Sequence, residues 1–178
     1  SEGSGPRGVL HSARARRSPE LYSADKALAR SYRFLDADGS TPTAQLRARM
    51  QRTMQINRAV FRTGEVLEEG KGLIHDVWRG VADIAITDRS LVWNTDLLET
   101  LEFDSLIGQA VVTMESAANR IESRGAHARE DFSERNEKEW MKHTLAWLDE
   151  TSGKVTIDYR PVHTYTMSNE IQYIEPKA

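Results

Sequence analysis

The sequence predicts a mainly α-helical fold with a small β part: a three-helix bundle, then a short β-containing C-terminal domain, with a disordered or extended N-terminal tail in front. Three observations predict it. Apolar residues recur at helical spacing from Phe103 to Ile121, the longest such pattern in the chain. Beyond Gly125 the period changes to the alternation of a strand, with Leu145 and Trp147 followed by Val155, Ile157 and Tyr159. Ser1 to Tyr22 holds four Arg, four Ser, three Gly and two Pro, a composition that buries little apolar surface.

The 178 residues suffice for one ordinary domain or two small ones with a real core. A net charge of −3 and a pI of about 6.0 single out no class of partner, and the near-balanced charges of residues 122–143 give no one-sided positive field, so no nucleic-acid partner is expected. There is no cysteine, which excludes a disulfide framework, Cys-bound zinc or iron–sulfur clusters, and a thiol nucleophile. No apolar run approaches the ~18 residues of a spanning helix, so membrane association would have to come through partners.

Residues 1–22 are expected to be an extended or partner-bound tail. Gly3-Ser4-Gly5-Pro6-Arg7-Gly8 fits the G-x-G-x-x-G pattern letter for letter, but that fingerprint needs a strand before it, and only two residues precede Gly3. Basic text such as His11 to Arg17, with no initiator Met ahead of it, resembles the remainder of an organelle transit segment, the alternative being a plain solvated tail. Residues 23–40 are expected to form a linker helix on Leu28, Tyr32 and Leu35 behind a Ser23 cap, ending at Asp38-Gly39.

Residues 41–124 are expected to be the helical bundle. Thr41 is expected to cap the first helix, with Pro42 at its first position and Leu46, Met50, Met54 and Asn57 on one face. A second helix is expected from Gly64 to Gly80 on Val66, Leu73, Val77 and Val81, weakened by internal glycines. Asn94 or Thr95 then caps the longest helix, whose stripe runs through Phe103, Leu106, Ile107, Ala110, Val111, Met114, Ala117, Ala118 and Ile121. Gly125 is expected to be its left-handed stop. Residues 125–178 are expected to be a loop and a small β-containing domain, with Thr151-Ser152-Gly153 as a hairpin turn and Tyr165 to Ile174 as a further short strand or an extended tail.

Charge concentrates between Glu122 and His143, where Arg124, Arg129, Arg135, Lys138 and Lys142 face Glu122, Glu130, Asp131, Glu134, Glu137 and Glu139. Near-balanced signs suit mutual pairing or a polar protein interface. His127 and His143 lack the two-His helix signature of a metal site. Ser123, His127 and Asp131 lack a nucleophile-elbow context. No catalytic, cofactor-binding or metal-ligating residue is therefore predicted.

The wording of Glu122 to Phe132 (ESRGAHAREDF), Glu139 to Trp147 (EWMKHTLAW) and Asp158 to His163 (DYRPVH) closely resembles the C-terminal part of the flavoprotein subunit of succinate dehydrogenase, respiratory complex II. Leu46 to Glu65 and Leu91 to Thr100 resemble the helical domain of the same subunit, so the resemblance runs in order from about Ala24 to the end. The wording is most similar to the mitochondrial and alphaproteobacterial enzymes. Ser133, Asn136-Glu137 and Arg58 depart from the Pro, the Asp pair and the His that relatives usually carry, and the chain stops short of the usual Arg-x-Tyr ending.

The resemblance implies a division of labour. In that family the dinucleotide fold, the covalent flavin, the proton-transferring arginine and the substrate-binding His and Arg all lie upstream of this part. The implied cofactors are thus FAD, covalently held on a partner flavin-binding half, and iron–sulfur clusters on another subunit; none is bound by this chain alone, which should be inert in isolation. The implied partners are that flavin-binding half, the iron–sulfur subunit and, indirectly, the membrane anchor subunits. The implied place is the matrix side of the mitochondrial inner membrane or, alternatively, the cytoplasmic face of a bacterial inner membrane. Arg124, His127, Arg129, Asp131, Arg135, Trp140 and His143 are the residues expected to face a partner. The expected role is to complete in trans a subunit that oxidises succinate; the alternative is a non-catalytic structural or assembly subunit derived from that flavoprotein.

Overall fold

A computed structural model describes residues 21–163 and, beyond them, residues 165, 166, 168, 170–172 and 174. The glycine-rich start and most of the expected tail lie outside the described residues, as does part of the segment from Tyr165 to Ile174. What is described is helical with a small antiparallel sheet, as the periodicities predict.

Helix α1 (Leu21–Leu35) is followed by a two-residue strand β1 (Thr41–Pro42), which runs straight into α2 (Thr43–Asn57). Thr41 does not cap α2. Its hydroxyl donates to Asp83 at 2.8 Å, and Thr41–Pro42 pair in parallel with β2 (Ile84–Ala85). Asp83 also accepts the Ser40 N–H at 3.0 Å and the Ser40 hydroxyl at 2.6 Å. A Cβ on Gly39 would overlap the Asp83 carbonyl, so this close backbone approach requires glycine.

Helix α3 (Gly64–Gly80) keeps its expected bounds, and the Thr63 hydroxyl accepts the Val66 N–H to cap it. Its buried face is Leu67, Gly70, Ile74 and Val77; Leu73 is exposed. The expected register was therefore rotated, because it gave no weight to glycine. A Cβ at Gly70 would come within 2.6 Å of the Asn57 Cβ and 2.8 Å of the Met114 Cε, so α2 and α4 close onto the bare backbone there.

Helix α4 (Thr95–Asn119) is the rod against which the other elements pack, and the Asn94 amide oxygen caps it by accepting the Leu97 N–H at 2.7 Å. Phe103, Ile107, Ala110, Val111, Met114 and Ala117 are buried along it, while Leu106 and Ile121 are exposed. The helix ends before Gly125: Arg120 is already extended, with φ −86° and ψ 109°. Gly125 does take positive φ, at 57°, but as part of a later turn. The core joins Leu46, Met50, Leu67, Ile74, Ile84, Phe103, Ile107 and Met114, with Phe34 of α1 reaching into it. Arg30 fastens α1 to α4 through Asp104 at 2.6 Å, Ser105 at 2.9 Å and the Leu101 carbonyl at 3.1 Å.

A short helix α5 (Glu137–Trp140) leads into the hairpin of β3 (Lys142–Leu148) and β4 (Val155–Pro161), paired antiparallel with Leu148 opposite Val155. On β4 the inward set is Val155, Ile157 and Tyr159, as expected. On β3 it is Thr144, Ala146 and Leu148, one residue out of phase with the expected Leu145 and Trp147. The reason is room. Leu148 packs over Gly108 of α4, where an added Cβ would stand 3.3 Å from Leu148 Cδ2, and the strand's alternation then brings Thr144 and Ala146 to the same face and turns the large Trp147 outward.

Candidate partner-binding loop and its charge network

The loop from Arg120 to Trp140 has little regular structure, and side chains hold it instead. Glu122 is the centre, with a side chain at 0 % exposure. Its carboxylate pairs with Arg120, accepts Arg124 Nε at 2.9 Å and Arg124 Nη2 at 3.1 Å, and accepts the Asn136 N–H at 3.0 Å. Burial alone would raise its pKa, but the hydrogen bonds from Arg124, the Asn136 N–H and Arg120 prevail and hold it below the ordinary carboxylate value. Arg120 also donates to the Trp140 carbonyl at 3.1 Å and the Lys142 carbonyl at 2.5 Å, which ties the end of α4 to α5 and β3. Arg124 reaches on to Glu137 at 3.0 Å, and Arg135 Nε meets the other Glu137 oxygen at 3.1 Å.

Arg129 and Asp131 form a second centre. Arg129 is 4 % exposed and bidentate, with Nε to Asp131 Oδ1 at 2.8 Å and Nη2 to Oδ2 at 2.5 Å. Its Nη1 donates to the Ala118 carbonyl at 3.3 Å and the Arg120 carbonyl at 3.4 Å, a cation at the negative end of α4. Asp131 accepts the Gly64 N–H at 2.7 Å, an anion at the positive end of α3. Because α3 and α4 are antiparallel, one ion pair closes both termini. The Arg129 guanidinium lowers the Asp131 pKa to about 2.

His127 belongs to a tight turn in which the Arg124 N–H donates to the His127 carbonyl at 2.7 Å and the His127 N–H to the Arg124 carbonyl at 3.0 Å. Gly125 supplies the positive φ at the first central position. His127 Nε2 lies 3.0 Å from the Arg120 carbonyl and must be the N–H donor, leaving Nδ1 to accept from Arg62 Nη1 at 3.3 Å. Burial, with the charges of Arg62, Arg58 and Arg129, lowers its pKa despite the Arg120 carbonyl.

Six of the seven residues expected at a partner surface, Arg124, His127, Arg129, Asp131, Arg135 and Trp140, are thus gathered in one loop. Arg129 and Trp140 are buried within this chain. Trp140 meets Tyr159 edge to face at 5.8 Å and lies under Arg120 and Lys142. His143 lies apart, on the outward row of β3 opposite Arg160. Arg62 and Arg120 were not singled out from sequence, and Arg58, Glu122 and Ser123 were named there without being placed among the residues expected to face a partner. Ser123 accepts the Arg129 N–H at 2.7 Å and donates to the Phe132 carbonyl at 2.7 Å. The available signal for Glu122 was a carboxylate two residues from an arginine on either side.

Comparison with known proteins sets this loop in context. A family model described as the fumarate reductase flavoprotein C-term matches residues 47–178. The chain is 49% identical over 168 residues to the succinate dehydrogenase flavoprotein subunit of Rickettsia conorii, covering 94% of this chain and 28% of the relative. It is 49% identical over 154 residues to the mitochondrial succinate dehydrogenase [ubiquinone] flavoprotein subunit of Oryza sativa subsp. japonica, covering 86% and 24%. Among solved structures, a quinol fumarate reductase of E. coli superposes with a TM-score of 0.78 at 29% identity, covering 92% of this chain and 29% of that one. The chain therefore spans about a quarter of the length of the curated relatives it matches, 28% and 24% in these two.

Proposed function

Since the chain belongs to the family of fumarate reductase and succinate dehydrogenase flavoprotein C-terminal domains, we propose that it is the C-terminal part of a succinate dehydrogenase flavoprotein and completes that subunit in trans. The assembled subunit would oxidise succinate to fumarate and pass the electrons through flavin and iron–sulfur clusters to quinone. The observation that carries this reading is the identity of about half the residues over nearly the whole chain with flavoproteins named for that activity.

The division of labour follows from what this chain offers. A dinucleotide needs a glycine-rich turn between a parallel strand and a helix, so that backbone N–H groups reach its pyrophosphate. Among the described residues the parallel pair β1–β2 is two residues long, and β1 runs into α2 through Thr41-Pro42-Thr43 with no glycine at the junction. These residues do not fit flavin, and we place it on a separate flavin-bearing polypeptide, with the iron–sulfur clusters on another subunit. This chain contributes shape and fixed charge. Arg124, Asp131, Arg135 and His143 would face the partners, while Arg129 and Trp140 hold the loop from behind. Among the described residues no helix is long and apolar enough to cross a membrane, so attachment to a mitochondrial or bacterial inner membrane would come through anchor subunits.

The test is native purification from the source, asking which polypeptide carries covalent flavin and whether succinate reduces it. The expected result is a flavin-bearing partner without a C-terminal helical domain of its own, whose succinate activity disappears when this chain is removed. A partner that is already full length would make this chain a structural accessory instead.

A further inference from the structure

Between α2 and α3 two cations lie together without a counter-charge. Arg120, Arg124, Arg129 and Arg135 each pair with a carboxylate. Among the described residues Arg58 and Arg62 do not. Arg62, 8 % exposed, directs Nε to the Arg58 carbonyl at 3.0 Å and the Ala59 carbonyl at 2.6 Å, and Nη1 to the Ala126 carbonyl at 3.1 Å and His127 Nδ1. Arg58 Nε is buried with no hydrogen-bond partner at all. An orphaned buried donor of this kind is costly and marks a place where a partner is missing. Burial lowers the pKa of both guanidiniums, and for Arg58 the neighbouring charge of Arg62 adds to it. Beside them in the chain are exposed apolar side chains, Ile56 in the last turn of α2 and Val60 and Phe61 on the connection itself.

We infer that Arg58 and Arg62, the latter backed by His127, form the receiving end of a buried carboxylate contact, filled by an Asp or Glu side chain on an apolar stretch of the flavin-bearing polypeptide. The inference rests on the function proposed above and names a contact that makes the assembly. Charge complementarity selects the ligand: two unopposed guanidiniums beside a neutral imidazole accept one negative charge, and a carboxylate matches the fork geometry of Arg58. The apolar rim selects the carrier. A free inorganic anion would satisfy the charge and leave Val60 and Phe61 in water, whereas a docked segment covers both.

The experiment uses the complex of this chain with its flavin-bearing partner. Arg58→Lys places a primary amine in the site, and a carbodiimide then joins it only to a carboxylate in contact. The expected product is a cross-link from position 58 to an Asp or Glu of the flavin-bearing polypeptide. In parallel, Arg58→Ala should weaken association on the order of tenfold to a hundredfold, the range for losing a hydrogen bond to a charged group, with partial rescue by Arg58→Lys. The isolated Arg58→Ala chain should unfold at the same or a higher temperature, because a buried unpaired cation has gone. Unchanged association, or a link that ends on the iron–sulfur polypeptide or within this chain, overturns the inference and leaves the proposed function standing. Failure to isolate any complex with a flavin-bearing polypeptide overturns both.

Discussion

Glu122, Asp131 and His127 sit within one short loop, and each is held in the protonation state its neighbours demand. The two carboxylates have depressed pKa values, so the unfolded chain binds more protons than the folded one below about pH 4. Their contribution is present above that pH and is lost as pH falls, for Asp131 on passing about 2. His127 is also depressed, so its contribution is present above about pH 6.5, the ordinary imidazole value, and declines as the pH drops below it. Urea unfolding across pH should therefore show two separate declines. His127→Gln should remove the upper one, and Asp131→Asn should shrink the lower by about 1 kcal/mol after allowance for its exposure. Identical pH profiles in all three proteins would contradict the assignment. Arg129→Ala leaves Asp131 and the carbonyls at the end of α4 without their donor, and should cost about 2–4 kcal/mol in the isolated chain. Assembly should loosen with it; normal stability and assembly with lost turnover would refute that role. The sequence made these charges visible as a balanced segment but did not reveal their pairing, because partners such as Arg62 and Gly64 come from a connection some 65 residues earlier, separations of 65 and 67 in the two bonds.

At the scale of elements, a side chain's size and its absence explain where periodicity succeeded. Helix α3 was found at its true bounds, yet its inward face turns on Gly70, which carries no hydrophobic signal. Two glycines on the same helix separate propensity from packing. Gly72 has open space where a Cβ would go, so Gly72→Ala should stabilise by about 0.5–1 kcal/mol through helix propensity. Gly70→Ala meets Asn57 and Met114 and should destabilise by about 1–3 kcal/mol through overpacking. Thermal unfolding of the two variants should shift in opposite directions. The hairpin was legible in β4 and misread in β3 for the related reason that its inward row, Thr144, Ala146 and Leu148, is the smaller and less apolar one. Strands β1 and β2 were not anticipated: two residues give no period, and the pairing depends on Asp83 far along the chain.

Across the whole molecule the apolar surface is uneven. Leu91, Val92 and Trp93 stand out of the loop before α4, Trp93 at 93 % exposure and with φ 55°, a conformation that a bulky residue rarely takes. Nothing within the described chain needs that side chain there. Trp93→Asn, which suits positive φ, should leave the chain's own unfolding free energy within about 0.5 kcal/mol of the parent or slightly above it. If the flavin-bearing partner proposed above docks there, the same change should weaken its binding by about tenfold, the effect of deleting a modest interface anchor. Calorimetric titration of the two polypeptides would read both the loss and its absence. The described residues thus share one buried core, and this apolar loop stands outside it.

The pairing of Thr41–Pro42 with Ile84–Ala85 also sets an order in time. It closes a loop whose arms are α2 and α3, and so few hydrogen bonds cannot offset the closure entropy of an unstructured segment of that length. Once the two helices stand antiparallel their far ends are already adjacent, and the strap latches with little further loss of chain freedom. The strap is therefore expected to close late in folding and to open early in unfolding. Asp83→Ala, which releases Ser40 and Thr41, should therefore speed unfolding in stopped-flow experiments while the refolding rate stays close to that of the parent.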